Sequence, residues 1–438
     1  MDSITGGASV PRRSFVKGAT VAALAAGIGT RAFAQGTDTL KVGLVACGGR
    51  GQGALDQCVR AAGQPGMVAW AVGDVFLDKA QGFGRRIDDE WGDKADIGDR
   101  MFGGFDNYKQ VIDSDIDILV TAAPPGFRPM VIQYAVEKGK HVFMEKPVAV
   151  DAHGCNIMFE AARQADEKGL TIVAGTQRRY QANYQGTMSL IHAGGLGELT
   201  GGDFGWRGGG IWERGGRRKG ERNNLQWQLE NWYHFNWLCG DQIVEQHVHN
   251  LDVMLWCFQD QHPTSAYGVG YRVEGAAGRP SYSHMYSGMA VQFEFPNGAR
   301  CMSWSGHGNI DGYWGERIVG TNGTSNCVDG LDLYSGVKVP RQDVQVAHGD
   351  PYVQEHWAMI DAIRNGRQIN DTKAVTESTF MAVMGREACY SGKRVDWDSL
   401  LASDFSLMPD EDLLDLEADP DIPIPEIAVP GRYKLPEA

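Results

Sequence analysis

Between residues 40 and 175 short apolar runs alternate with stretches of helical spacing. KVGLVA (41–46), MVAWAV (67–72), IDILVTA (116–122), HVFME (141–145) and LTIVAG (170–175) have the pattern of parallel strands buried on both faces. The segments between them, such as PMVIQYAVEKGK and the stretch 154–168, repeat their apolar positions at helical intervals. That alternation predicts an α/β unit: a doubly wound parallel sheet with helices on both faces. Beyond about residue 177 the period changes. SGMAVQFEF (287–295) and ARCMSWSG alternate with period two between Gly and Asn turns, and helices are expected near 183–194, 240–257 and 351–365. A C-terminal α+β domain with a large, mainly antiparallel sheet is the simplest reading.

The ends of the chain read differently. PRRSFVKG (11–18) sets paired arginines ahead of the apolar run ATVAALAAGIG, followed by Ala32, Phe33 and Ala34, the layout of an export signal that looks like the twin-arginine type. Residues 1–34 are therefore expected to be a signal peptide delivering a folded chain to the periplasm; an uncleaved anchor is the alternative. Residues 403–438 are acidic and Pro-rich and are expected to form an arm lying on their own or a neighbouring subunit.

Net charge of −14 argues against nucleic acid or an anionic membrane surface as partner. Eight cysteines, Cys47, Cys58, Cys155, Cys239, Cys257, Cys301, Cys327 and Cys389, show no CxxC spacing, so no zinc site or disulfide scaffold is indicated. They read as small core residues, with one or two bridges open to them in an oxidising compartment.

ACGGRGQG (46–53) follows the first strand directly. The dinucleotide fingerprint wants glycine at a turn, at the pyrophosphate and where helix meets sheet; Gly48 and Gly51 fill the second and third positions, and Ala46 stands at the first. Asp74 closes the second strand, where a carboxylate can accept from ribose hydroxyls and repel a 2′-phosphate, favouring NAD over NADP. The competing role for Asp74 is to cap the next helix. The first domain, 35–176, is thus expected to be an NAD(P)-binding Rossmann domain, with 177–402 as the substrate and oligomerisation domain.

VFMEKPVAV places Glu145, Lys146 and Pro147 at the carboxyl end of a parallel strand, the sheet edge where open α/β folds hold ligands. A partly desolvated Lys146 there could exchange a proton with a hydroxyl; a solvated surface lysine is the plain alternative. In GDQIVEQHVHNLDVMLW (240–256), read as a helix, Glu245, His249 and Asp252 fall at i, i+4 and i+7 on one polar stripe. Titratable groups in such apolar surroundings are costly unless paired or functional. His247 and His249 diverge on a helix, which weighs against a metal site with Glu245.

The glycine turn, the EKP exit, GTQRRY (175–180), the histidine helix, GLGEL (195–199), GTNGT (320–324) and EHWAMIDAIRNG (355–366) together resemble the Gfo/Idh/MocA oxidoreductases. The resemblance implies a Rossmann domain carrying NAD(P), an open C-terminal sheet, oxidation of a sugar or cyclitol hydroxyl, and a homo-oligomer, dimer or tetramer. By it, Lys146 is the lysine beside nicotinamide and substrate, His249 the acid/base histidine, and Glu245 stands where aspartate is usual. The expected cofactor residues are Cys47, Gly48, Gly49, Arg50, Gly51, Asp74, Pro124, Glu145, Lys146 and Gln177. The expected substrate residues are Arg178, Tyr180, Trp206, Trp232, His247 and Asp252. The segment 206–237, rich in Trp, Arg and Asn, suits a carbohydrate pocket. Two alternatives stand beside a net dehydrogenase. One is a redox-neutral cycle with a tightly held cofactor, as in glycoside cleavage or sugar-to-sugar transfer. The other is a sugar-binding protein without catalysis.

Overall fold

Strands without a polar face need cover on both sides, and here helices supply it. The computed structural model describes residues 39–63, 66–212, 214, 224–273, 282–308 and 310–437; the expected signal peptide lies outside them. In chain order the first part comprises β1 (Leu40–Val45), α1 (Gly49–Ala61), β2 (Met67–Gly73), α2 (Leu77–Glu90), β3 (Met101–Phe102), α3 (Asn107–Asp113), β4 (Ile118–Thr121), α4 (Arg128–Glu137), β5 (His141–Met144), α5 (Ala152–Lys168) and β6 (Ile172–Ala174). Six parallel strands lie in the order β3-β2-β1-β4-β5-β6. The chain winds outward in both directions from β1 and β4, which opens a crevice at their carboxyl ends. Only β3 was not legible as a strand, because two residues make no period.

The second part runs α6 (Ala182–His192), β7 (Leu199–Gly208), α7 (Leu225–Glu230), α8 (Asn236–Cys239), α9 (Gln242–Glu245), α10 (Val248–Cys257), β8 (Ser265–Tyr271), β9 (Gly288–Glu294), β10 (Arg300–His307), β11 (Tyr313–Gly320), β12 (Gly323–Ser325), β13 (Gly330–Leu333), β14 (Lys338–Pro340), α11 (Pro351–Arg364), α12 (Thr372–Ser391), β15 (Val395–Asp396) and α13 (Trp397–Ala402). Its nine strands lie in the order β14-β13-β12-β11-β7-β10-β9-β8-β15. All neighbours are antiparallel except β7 and β10, which run parallel. One face packs Phe204, Val291, Phe293 and Ile318 against Leu251 and Met254 of α10 and Phe380 and Met384 of α12. The other face carries the exposed Tyr267, Val269, Tyr271, Met302 and Tyr313.

The helix expected over 240–257 is interrupted. His247 N–H bonds back to Gln242 O, five residues earlier, and His249 N–H to Gln246 O, three earlier. This π-type widening slips the register by about one residue, or about 100°, so Glu245 and Asp252 no longer share a stripe.

Helix α12 was missed because it has no polar face: every residue but Lys373 and Ala374 is buried. It packs against α5, α10 and β8 and so joins the two sheets' layers. The acidic tail lies along its own chain. Leu407 N–H donates to Asp151 (2.6 Å), Gln226 N–H to Asp419 (2.9 Å), and Tyr286 OH to Ala428 O (2.7 Å). All eight cysteines are buried and unbridged.

Candidate active site

The fingerprint loop turns sharply between β1 and α1. Ala46 takes the left-handed conformation, φ 76°, which glycine adopts more readily. A Cβ on Gly51 would stand 1.9 Å from Ala46 O, whereas Gly48 and Gly49 face open space. Gly51 therefore closes helix onto loop, and the other two leave backbone bare for a phosphate at the start of α1. Asp74 does not cap α2, whose N-cap position is Phe76 and carries no side-chain capping bond; one carboxylate oxygen accepts from Cys47 N–H (2.8 Å) and the other from Phe76 N–H (3.0 Å). Each oxygen keeps a free lone pair for a ribose hydroxyl.

These residues line a cavity of about 720 Å³, which includes Gly48, Gly49, Asp74 and Pro124, within the size range of small-molecule sites. A bare glycine pair, a helix N-terminus and a fixed carboxylate at the end of β2 fit a dinucleotide.

Arg50 also lines the cavity, yet its guanidinium turns to the sheet edge. It ion-pairs with Glu145 and bonds Gln57 (2.7 Å), with Glu355 at 3.7 Å. Glu145 is buried, and its other oxygen accepts from Lys146 N–H (3.2 Å). Both residues, expected to bind cofactor, thus brace the fingerprint loop against the strand end.

Next to Glu145, just ahead of a cis Lys146–Pro147 bond, the Lys146 ammonium donates to Glu245 O at 2.6 Å and lies 3.6 Å from its Oε1. That carbonyl is available because the break between α9 and α10 removes the N–H that a regular helix would have sent to it. Burial raises the Glu245 pKa, opposed by Lys146 and Arg128. Its Oε2 is buried with no hydrogen-bond partner among the described residues. Burial, then the positive charges of Lys146, Arg178 and Arg50, holds His249 well below the usual histidine range. Its imidazole is therefore neutral. The structure brings Lys146, Glu245 and His249 together.

Several expected substrate residues are engaged elsewhere. Asp252 is clasped by Arg179 through three bonds of 2.9–3.0 Å, because the helix break turns it away from Glu245. His247 is fully buried, bonds Ser303 (2.7 Å) and has its pKa pushed down to about 3 by burial. Tyr180 OH donates to Asp371 (2.7 Å), and Arg178 pairs with Glu316 of β11. Trp206 stays half-buried on β7 with its ring 4.7 Å from that of His307. Trp232 lines the same cavity as Gly48, Gly49 and Asp74. Gln177 keeps a buried, unpartnered Oε1 among the described residues but does not line that cavity.

Two arginines escaped the sequence reading. Arg128 donates to Pro147 O. Arg386 is fully buried, pairs with Glu387 (2.9 Å), and donates to Val150 O (2.7 Å) and Gly240 O (3.2 Å). It thus ties the lysine's exit segment to the start of the broken helix. No local pattern marks such residues, since their partners are backbone carbonyls remote in sequence.

Fold and site define an α/β dinucleotide-binding class with an appended open sheet. Residues 98–173 match the sequence model of GFO_IDH_MocA, the oxidoreductase family with an NAD-binding Rossmann fold. Inositol 2-dehydrogenase of Pseudomonas savastanoi pv. phaseolicola (strain 1448A / Race 6) is 29% identical over 160 residues, 36% of this chain and 43% of that protein. The matched stretch is thus under half the relative's length. Among solved structures, aldose-aldose oxidoreductase from Caulobacter crescentus aligns with TM-score 0.62 and 17% identity, over 82% of this chain and 100% of that one. Scyllo-inositol dehydrogenase from Lactobacillus casei, with bound cofactor NAD(H) and scyllo-inositol, aligns with TM-score 0.60 and 19% identity, over 83% and 100%. The family match thus spans residues 98–173, and the structural likenesses show a shared fold.

Proposed function

We propose that the protein is an NAD-dependent oxidoreductase that converts a hydroxyl of a cyclitol, sugar or glycoside to a ketone. The observation that carries this is the Lys146 ammonium held against Glu245 O, joined through Glu145 and Arg50 to the cavity lined by Gly48, Gly49 and Asp74. Gly48, Gly49 and Asp74 would hold the dinucleotide. The nicotinamide, when bound, supplies the acceptor for the carbinol hydrogen and its electron pair. His249, uncharged, takes the hydroxyl proton. The Lys146 ammonium donates to the same oxygen as negative charge gathers on it, and Glu245 Oε2 accepts from a neighbouring hydroxyl, which answers its missing partner.

The test is to purify the chain, identify bound nucleotide by mass spectrometry, and offer inositols and glycosides while following nicotinamide absorbance and released aglycone. Substrate-dependent reduction supports the reading; neither reduction nor cleavage with any sugar refutes it. A second reading, in which the ketone is an intermediate and the dinucleotide is restored in place, is favoured by the residues from the second part of the chain that line the cavity. It requires cleavage or sugar-to-sugar transfer without net reduction. Export through residues 1–34 and self-association through the open face of the nine-stranded sheet belong to the same proposal.

A further inference from the structure

The dinucleotide cavity has a wall that a sheet-edge site does not need. Trp212, Arg214, Leu229, Glu230 and Trp232, all from the segment between β7 and α8, line it together with the fingerprint loop. On the other part of the chain the same cavity is lined by Asp74, Phe76, Phe105 and Asn107. Asp74 marks the adenosine end of such a cleft, because a carboxylate closing the second strand is the usual ribose contact.

The wall is held in place from behind. Asn231, fully buried, latches Arg214 from both sides, accepting from its N–H (2.7 Å) and donating to its carbonyl (3.2 Å). His234, also fully buried, meets Trp212 O at 3.0 Å. The Trp212 and Trp232 rings meet edge to face at 6.2 Å, and the Arg214 guanidinium lies 5.0 Å from the Trp212 ring. Trp232 packs in turn on the Ile211, Tyr233 and Met285 cluster. Flat indole faces stack on purines regardless of hydrogen-bond pattern, and a guanidinium adds both stacking and a cation for phosphate.

We propose that Trp212, Arg214 and Trp232 complete the adenosine subsite of the dinucleotide cleft and slow release of the dinucleotide so that it stays bound between turnovers. This rests on the NAD reading above. Oxidation at this site must then be followed by reduction of a carbonyl, the same one or that of a second molecule, without the dinucleotide leaving.

The full chain would be loaded with NADH and freed of excess by gel filtration, and dissociation followed by nicotinamide fluorescence during a chase with unlabelled NAD. The wild type is expected to elute loaded. Trp212→Ala removes one stacking face and should speed dissociation by about 5- to 150-fold. Arg214→Ala should speed it too, and Trp212→Phe should restore slow release. Trp212 is 40% exposed, so its truncation leaves no buried void; equal unfolding midpoints of the unloaded proteins would confirm intact folding. A loaded wild type with the same dissociation rate in Trp212→Ala and Arg214→Ala overturns the subsite alone. A wild type that takes up no NADH or NAD even at millimolar concentration overturns the NAD reading with it.

Discussion

Ala46 stands in the left-handed conformation at the position where the fingerprint prefers glycine, and a Cβ there costs roughly 1 kcal/mol. Ala46→Gly should therefore raise unfolding stability by about 1 kcal/mol in a denaturant titration; an unchanged midpoint would show that the loop carries no such strain. Lys146 makes its contact with Glu245 O through a carbonyl that only a broken helix offers. Lys146→Met is expected to lower turnover by about 10²- to 10⁴-fold with native circular dichroism, and turnover equal to wild type would sink its assignment. Burial and three nearby cations depress the His249 pKa, so the base form persists below the ordinary histidine range. The acid limb of the kcat/KM profile should accordingly lie well below pH 6.5; a limb at or above 6.5 would remove His249 from the role of base.

At the scale of elements, α12 is the span that ties the site together. Its Arg386 bonds both the segment after Pro147 and Gly240, which closes α8, and Thr379 accepts from Val148 N–H at 3.3 Å. Arg386→Leu leaves Glu387 buried with its charge uncompensated and should cost roughly 3–5 kcal/mol. The double change Arg386→Leu with Glu387→Leu should recover part of that loss. If the double variant is no more stable than the single one, the pair is not the source of the cost. The strands of the parallel sheet and the glycine loop were legible because apolar runs and bare backbone follow from local chemistry. Helix α12 was not, since a helix buried on nearly all sides shows no stripe. The 240–257 helix was legible as a helix but not as a broken one: its widening depends on His247 reaching Ser303 and on Lys146 occupying Glu245 O.

At the scale of the whole molecule, no described residues cover one face of the nine-stranded sheet. Tyr267, Val269 and Tyr271 of β8 are exposed there together with Met302 and Tyr313. Exposed apolar side chains such as these are what the proposed self-association would bury. Val269→Lys, at 71% exposure, should leave the fold intact and shift the protein to monomer in light scattering; a wild-type monomer would refute association through this face.

What the chain determined by itself was the alternation that builds a parallel sheet, the bare glycines after β1 and the lysine at a strand exit, because each depends on neighbours a few residues away. The tertiary structure decided the rest. It turned Arg50 and Glu145 into a brace, gave Asp252 to Arg179, buried His247 against Ser303 and brought Trp212 and Trp232 to the dinucleotide cavity. Those outcomes depend on which distant carbonyls, carboxylates and rings packing leaves in need of a partner, and no local pattern records that need.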